Sequence, residues 1–267
     1  NEFLGRGFKT GFLGKLHFEI TAERLEKEFN IKTVHSFPSV AYKVKRSAKS
    51  DYEIISNPKD FPTDYVEAME PISRIEIFAP KEYIGVIMQL QQSFRLQKME
   101  TKIFGNNIYL SANLPLADLI RDFDDQLKSI SAGYASFNYE VNDYQKAQVE
   151  KLEFLIAEQQ VSGLTRIVNK ENLEKDARKT VEKLKELMPR QQFSQAIQAV
   201  VGGKVIARET IPAMKKLLGN FGKTGGDRTR KMKLWKKQAR GKKRLLERGF
   251  ESKIDVPASI FKELLKK

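Results

Sequence analysis

Between Glu70 and Asp143 the hydrophobic period of the chain switches repeatedly, in an order that few folds accommodate. Ile75 and Ile77 alternate with Glu76 as in a half-buried strand. Pro80 then opens a stretch in which Tyr83, Ile87, Leu90 and Phe94 fall on one helical stripe. Strand patterns flank the turn Gly105-Asn106-Asn107, and Pro115 opens a second helix with Leu116, Leu119, Ile120, Phe123, Leu127 and Ile130 on one face. Phe137, Tyr139 and Val141 alternate in a last strand. The order βαββαβ is that of the split βαβ, or ferredoxin-like, sandwich. Residues 70–146 are therefore expected as one α+β domain of that kind.

The flanks read differently. Lys15 to Asn30 has helical spacing at Leu16, Ile20, Leu25 and Phe29, and Val40, Tyr42 and Val44 alternate in a strand. One helix with so few strands cannot cover its own faces. Residues 1–48 are accordingly expected as the back half of an α+β domain, and residues 49–69, with Pro58 and Pro62, as a linker holding a short strand. Further on, Leu152, Phe154 and Ile156 alternate, and Leu164 to Val168 reads as another strand. A helix from Glu171 carries Leu173, Ala177, Val181, Leu184 and Met188 and stops at Pro189. Two strands around Gly202-Gly203 form a hairpin signal. With a basic helix and a short terminal helix after them, residues 147–267 are expected as a last α+β domain.

Charge is the second constraint. The net charge is +14 and the pI about 9.7, which points to a polyanionic partner. From Arg228 to Arg248 eleven Lys or Arg stand against one acid, Glu247, so +10 of the total sits in one stretch. On a helical wheel Arg230, Lys233, Lys236, Lys237, Arg240, Lys243, Arg244 and Arg248 share one face, while Met232, Leu234, Trp235, Ala239, Leu245 and Leu246 occupy much of the rest, with Lys231 and Lys242 among them. Like-charge pairs four residues apart, such as Lys236 with Arg240, oppose the helix by about 0.2–0.5 kcal/mol each, and Gly241 by about 1 kcal/mol against Ala. Phosphates reverse the sign of the repulsion, so the stretch is expected to order on RNA or DNA. The expected nucleic-acid contacts are Arg228, Arg230, Lys231, Lys233, Lys236, Lys237, Arg240, Lys242, Lys243 and Arg244. Trp235 is expected to pack in the core in preference to stacking on a base.

Other chemistry finds little support. The chain has no cysteine, which excludes disulfides and thiolate zinc sites, and its histidines are His17 and His35 alone. No apolar run approaches the ~18 residues that span a bilayer. Gly222-Lys223-Thr224 ends like a phosphate-binding loop but lacks the required glycine at Leu217, and Asn169-Lys170-Glu171-Asn172 has Asn172 where a guanine-reading carboxylate belongs. Asp122, Asp124 and Asp125 point apart on a helix and read as a solvated face, and His17 reads as a structural histidine. No catalytic residue and no metal site is expected.

Several longer words resemble a known family. Gly11-Phe12-Leu13-Gly14-Lys15-Leu16-His17-Phe18-Glu19-Ile20 resembles a helix in the third domain of translational GTPases of the elongation factor G class, and Pro38-Ser39-Val40-Ala41-Tyr42 the strand after it. Glu70-Pro71, Ala79 to Gly85, Leu114 to Ala117 and Gly133-Tyr134-Ala135-Ser136 resemble that class's fifth domain. KLKELMPRQQF at 183–193, IQAVVGGKVIARETI at 197–211 and TGGDRTRKMKLWKKQARGKKR at 224–244 resemble the C-terminal domain of the LepA, or elongation factor 4, family. Gln92-Ser93-Phe94-Arg95 departs from the Arg-Arg-Gly usual in relatives, and Ala132 from a usual Arg.

The resemblance implies a ribosome-dependent GTPase that moves tRNA, with a proposed one-codon back-translocation. It implies ribosomal RNA and tRNA as partners, no small-molecule substrate for these residues, a monomer, and a cytoplasmic place that extends to the inner face of the membrane or to an organelle. GTP and Mg belong to a domain of the family that these residues do not match, so this chain is expected neither to bind nor to hydrolyse GTP. The rival expectations are a stand-alone RNA-binding module without a GTPase half and, ranked below it, an enzyme acting on RNA.

Overall fold

The computed structural model describes residues 10, 12, 15–31, 33, 40–191, 193–214, 228–247 and 256–265. It is an α+β protein with antiparallel sheets, and it divides into two compact units: one of residues 1–36, 153–164 and 174–267, the other of 37–152 and 165–173. Helix α1 (Lys15–Phe29) belongs to the first of these. Its expected apolar stripe is not the buried one, for Ile20 and Phe29 are exposed and Ala22 is buried. Surface ion pairs Arg24–Glu28 and Lys27–Glu23, one helical turn apart, brace it.

The unit of residues 37–152 and 165–173 is built on a six-stranded sheet. Strands β1 (Tyr42–Lys45), β2 (Glu53–Ile55), β3 (Glu67–Pro80), β4 (Gln97–Phe104) and β5 (Asn107–Pro115) lie in the order β2-β1-β3-β5-β4, and β6 (Ser136–Lys146) also pairs with β3. Residues 49–69, read as a linker, thus hold β2 and a 3-10 turn at Pro58–Asp60, and β2 enters the sheet through β1. Long β3 is the spine: Ile75 faces Ala112 on one side and Tyr139 on the other.

Alternation along β3 and β5 sends Ile75, Ile77, Ala79, Ile108, Leu110, Ala112 and Leu114 into one core. The same core takes the stripe Ile87, Leu90 and Phe94 from α2 (Ile84–Gln89) and the turns after it. It also takes Leu119, Phe123 and Leu127 from the run α3 (Leu116–Asp118), a π-helical turn (Leu119–Phe123) and α4 (Asp124–Ile130). Phe123 sits edge-on to both Phe94 and Phe137, at 5.2 and 5.4 Å. A second core joins Val40, Tyr42, Val44, Ile55, Phe61, Ala68 and Val149. Tyr65 closes it, its hydroxyl donating to the Val149 carbonyl at 2.6 Å.

Strand β7 (Val149–Ile156) gives its first four residues to this unit, where they pair with β9 (Arg166–Asn169), and its last four to the other. In that other unit those last residues pair with the short β8 (Gln159–Gln160) and with β10 (Gln195–Val201), which pairs in turn with β11 (Lys204–Ile211). The Gly202-Gly203 hairpin is present as expected, with both glycines at positive φ, 53° and 81°, where a β-carbon would strain the two-residue turn. Helix α5 (Leu173–Leu187) buries Ala177, Val181 and Leu184, the stripe its period announces. Lys185 ties it to Glu209 of β11 at 2.7 Å. Helix α7 (Ala258–Leu265) buries Ile260, Phe261 and Leu264, and Phe261 lies so close to Gly163 that a β-carbon there would stand 2.9 Å from the ring.

Candidate nucleic-acid interface

The basic stretch forms helix α6 (Arg228–Glu247), and all ten expected contact residues fall inside it. Among its described side chains Leu234, Gln238 and Leu245 are half-buried. They lie four and seven residues apart, on one stripe about 40° wide at 100° per residue. Lys233, Lys236, Lys237, Arg240, Lys243 and Arg244 are exposed, on an arc roughly 120° wide on the opposite side. The amphipathic division read from the sequence therefore holds for these residues, and the charges point away from the stripe.

Trp235 departs from expectation. It is 55% exposed, with Met232 at 46%, and Ala239 is exposed as well. These three fall between the half-buried stripe and the basic arc. The wheel misplaced Trp235 because it counts every apolar residue as facing the core, whereas the stripe that is covered is narrower and centred about 80° away.

Within the unit of residues 37–152 and 165–173 the chain buries a charge cluster that sequence reasoning missed. Arg95 donates from Nη1 to Glu70 Oε1 at 2.6 Å, from Nη2 to Glu70 Oε2 at 3.1 Å and from Nε to Asp118 Oδ2 at 2.8 Å. Glu70 and Asp118 are buried and Arg95 nearly so. Burial lifts the Glu70 carboxyl above its ordinary value, against the pull of Arg95. Burial also acts against the guanidinium, but its bonds to Asp118 and Glu70 outweigh that and hold it more firmly protonated than a free arginine. Nearby Tyr42 resists ionisation because it is buried and faces the Glu70 charge. Alternation gave no signal, for Glu70 shares the parity of Arg74 and Glu76 and is turned inward by the register shift between Ile72 and Ser73. The cluster joins β3, the segment between α2 and β4, and the last residue of α3.

The remaining sequence candidates settle into structural roles. Asn169 caps a 3-10 turn, its Oδ1 accepting from the Glu171 amide at 3.0 Å. Asp124 pairs with Lys128 at 2.9 Å, and Asp122 stands 3.9 Å from Arg121. His17 is exposed on α1 rather than set among apolar neighbours. Gly222-Lys223-Thr224 lies outside the described residues. No group of three or more metal-ligating side chains occurs among the described residues. Neither fragment fits a GTP site by its own residues: the loop lacks its glycine at Leu217, and Asn169 is taken up as a cap. Among the described residues no helix is long and apolar enough to cross a membrane.

Two family models match successive parts of the chain. Residues 67–154 match the family model of the elongation factor G C-terminus, and residues 156–266 that of the GTP-binding protein LepA C-terminus. Elongation factor 4 of Aquifex aeolicus is 43% identical over 271 aligned residues, covering 98% of this chain and 44% of that protein. The chain belongs to the elongation factor 4, or LepA, family and matches its C-terminal portion. Elongation factor 4 of Mesomycoplasma hyopneumoniae (strain 7448) is 44% identical over 98% of the chain, and that of Rubrobacter xylanophilus 42% over 98%. The chain spans less than half the length of these relatives, 44% and 43% of them respectively.

Proposed function

We propose that this chain is the ribosome- and tRNA-binding part of a translation elongation factor that acts on tRNA position, in the sense of a one-codon back-translocation, and that α6 is its main contact with RNA phosphates. The observation that carries this reading is the exposed arc of Lys233, Lys236, Lys237, Arg240, Lys243 and Arg244 set opposite the half-buried stripe. Six cations on one arc of a helix can each neutralise an RNA phosphate and release its counterion on binding. A cytoplasmic setting, where ribosomes and tRNA are found, goes with the proposal.

The same proposal covers domain organisation. Residues 70–146 are read as a ferredoxin-like domain, supported by the strand order β6-β3-β5-β4, in which the fourth strand of the motif lies beside the first and the third beside the second. Residues 147–267 are read as the LepA-specific domain and residues 1–48 as part of a domain like the third of elongation factor G, with 49–69 between. GTP binding and hydrolysis are proposed for the whole protein only.

Charge reversal tests the central claim. The variant Lys236→Glu, Lys237→Glu, Arg240→Glu, Lys243→Glu should bind ribosomes at least ~100-fold more weakly at physiological salt, since each phosphate contact contributes through counterion release. Unchanged affinity in a pelleting assay would remove α6 from the interface. Footprinting of ribosomal RNA and tRNA with the unaltered chain then locates the contact.

A further inference from the structure

The exposed flank of α6 holds more than charge. Trp235 is the chain's single tryptophan, it sits mid-helix, and it is 55% exposed in the most polar stretch of the sequence. A scattered exposed apolar residue means nothing by itself. Here, however, three exposed positions adjoin: Met232 lies three residues before Trp235 and Ala239 four after it, neighbours above and below on one face. Helical spacing thus puts a small residue one turn after the indole and a flexible one a turn before it. The basic arc begins immediately alongside, with Lys236 about 100° and Lys243 about 80° further round the helix. An aromatic face flush with a track of cations is the composition of surfaces that bind single strands, where phosphates follow the charges and bases stack on the ring.

Which form of RNA such a surface favours follows from base accessibility. In an A-form duplex the bases are stacked on one another, and the deep, narrow major groove is closed to side chains, so a helix meets phosphates and hydroxyls but no π-face. Trp235 would then add nothing to duplex binding. In a loop, bulge or free end a base can swing out and lie on the indole, and each such stack strengthens binding about 5- to 150-fold. We infer that Trp235 is a stacking platform which makes the basic face of α6 select RNA with unpaired bases over duplex RNA. The inference rests on the RNA-binding reading of that same face. A tryptophan beside lysines also suits an anionic bilayer, but membrane binding grows with buried apolar area, and this strip is one indole wide.

Because Trp235 is the one indole, fluorescence of the unmodified chain excited at the red edge, where its eight tyrosines do not absorb, reports on Trp235 alone. Titration with an unstructured oligouridylate should quench it, whereas an RNA duplex of equal phosphate count should bind without quenching. Trp235→Ala should weaken oligouridylate binding about 5- to 150-fold and leave duplex binding and the salt slope of both unchanged, while Trp235→Phe retains most of the affinity. Equal quenching by both RNAs, or equal losses in Trp235→Ala, overturns the stacking role while leaving the phosphate-binding helix intact. A larger spectral shift with phosphatidylserine vesicles than with oligouridylate overturns it in favour of a membrane face. If the unaltered chain binds neither RNA, the RNA-binding reading itself fails and the inference with it.

Discussion

At the scale of single residues the most consequential choice is Arg95. Its guanidinium is the cation within 3.1 Å of two buried carboxylates, Glu70 and Asp118, and it satisfies them through three hydrogen bonds. Replacing a complete buried network by apolar residues can be neutral, but removing the arginine leaves buried Glu70 without its cation and Asp118 with the longer pair to Arg121 at 3.8 Å. Arg95→Met is therefore expected to destabilise this unit by about 3–5 kcal/mol at neutral pH. The sign with pH follows from Glu70. Burial already raises its pKa in the folded state, so the folded protein holds that proton more tightly than the unfolded one. Its contribution is full below the ordinary carboxylate pKa and is lost as pH rises through the folded value. Without Arg95 the folded value rises further, so the deficit should shrink when urea melts followed by circular dichroism are taken from pH 8 toward pH 5. A deficit constant across that range would mean that the arginine acts through packing of its stem. None of this geometry was legible in advance. Alternation with Ile75 and Ile77 puts Glu70 on the polar face, the register shift at Ile72/Ser73 turns it inward, and Arg95 and Asp118 are distant in sequence and meet only through the fold.

Elements were more legible than the contacts between them, and the reason is local. Periods of 2 and 3.6 are written within a few residues, so β3, β5, α5 and the β10–β11 hairpin could be read from alternation, stripe and the glycine pair. Elements that depend on partners could not. Strand β8 has two residues and is held by β7, and α1 has a helical pattern whose apolar positions are not the ones buried. Helix α6 was readable as amphipathic, yet the face Trp235 takes was not, because a wheel gives direction without saying what covers it. Its internal conflict remains testable. Gly241 sits at an exposed helical position with nothing within 4 Å of where a β-carbon would be. Gly241→Ala should favour the helix by about 0.8–1.0 kcal/mol. Part of that gain should appear as tighter binding to RNA, up to about 5-fold, because less ordering remains to be done on contact. Helical ellipticity and RNA affinity measured on the same variant should rise together; higher helicity with unchanged affinity would mean that RNA binding does not draw on the ordering of α6, and unchanged helicity that the helix is already fully formed before binding.

Across the whole molecule the decisive property is where the charge sits, not how much there is. Of a net +14, +10 lies between Arg228 and Arg248, leaving the other residues with +4 together. A uniformly basic protein would attract RNA by its general field, which salt screens over about 10 Å at 0.1 M. A clustered one makes discrete phosphate contacts, each releasing a counterion, and the log–log salt slope counts them at about 0.7 per contact on single strands and about 0.9 on duplexes. Two variants of equal net charge separate the cases. Neutralising Lys236, Lys237, Arg240 and Lys243 to Gln should flatten the slope by roughly 3 to 4 units and weaken binding by orders of magnitude at physiological salt. Neutralising Lys81, Lys102, Lys175 and Lys179 to Gln, all exposed outside α6, should leave the slope within about one unit of the original. Binding isotherms for the full chain across a salt series supply both numbers. Equal losses in the two variants would mean that the molecule binds by net charge alone, and that α6 is a solvated basic helix without a seat of its own on RNA.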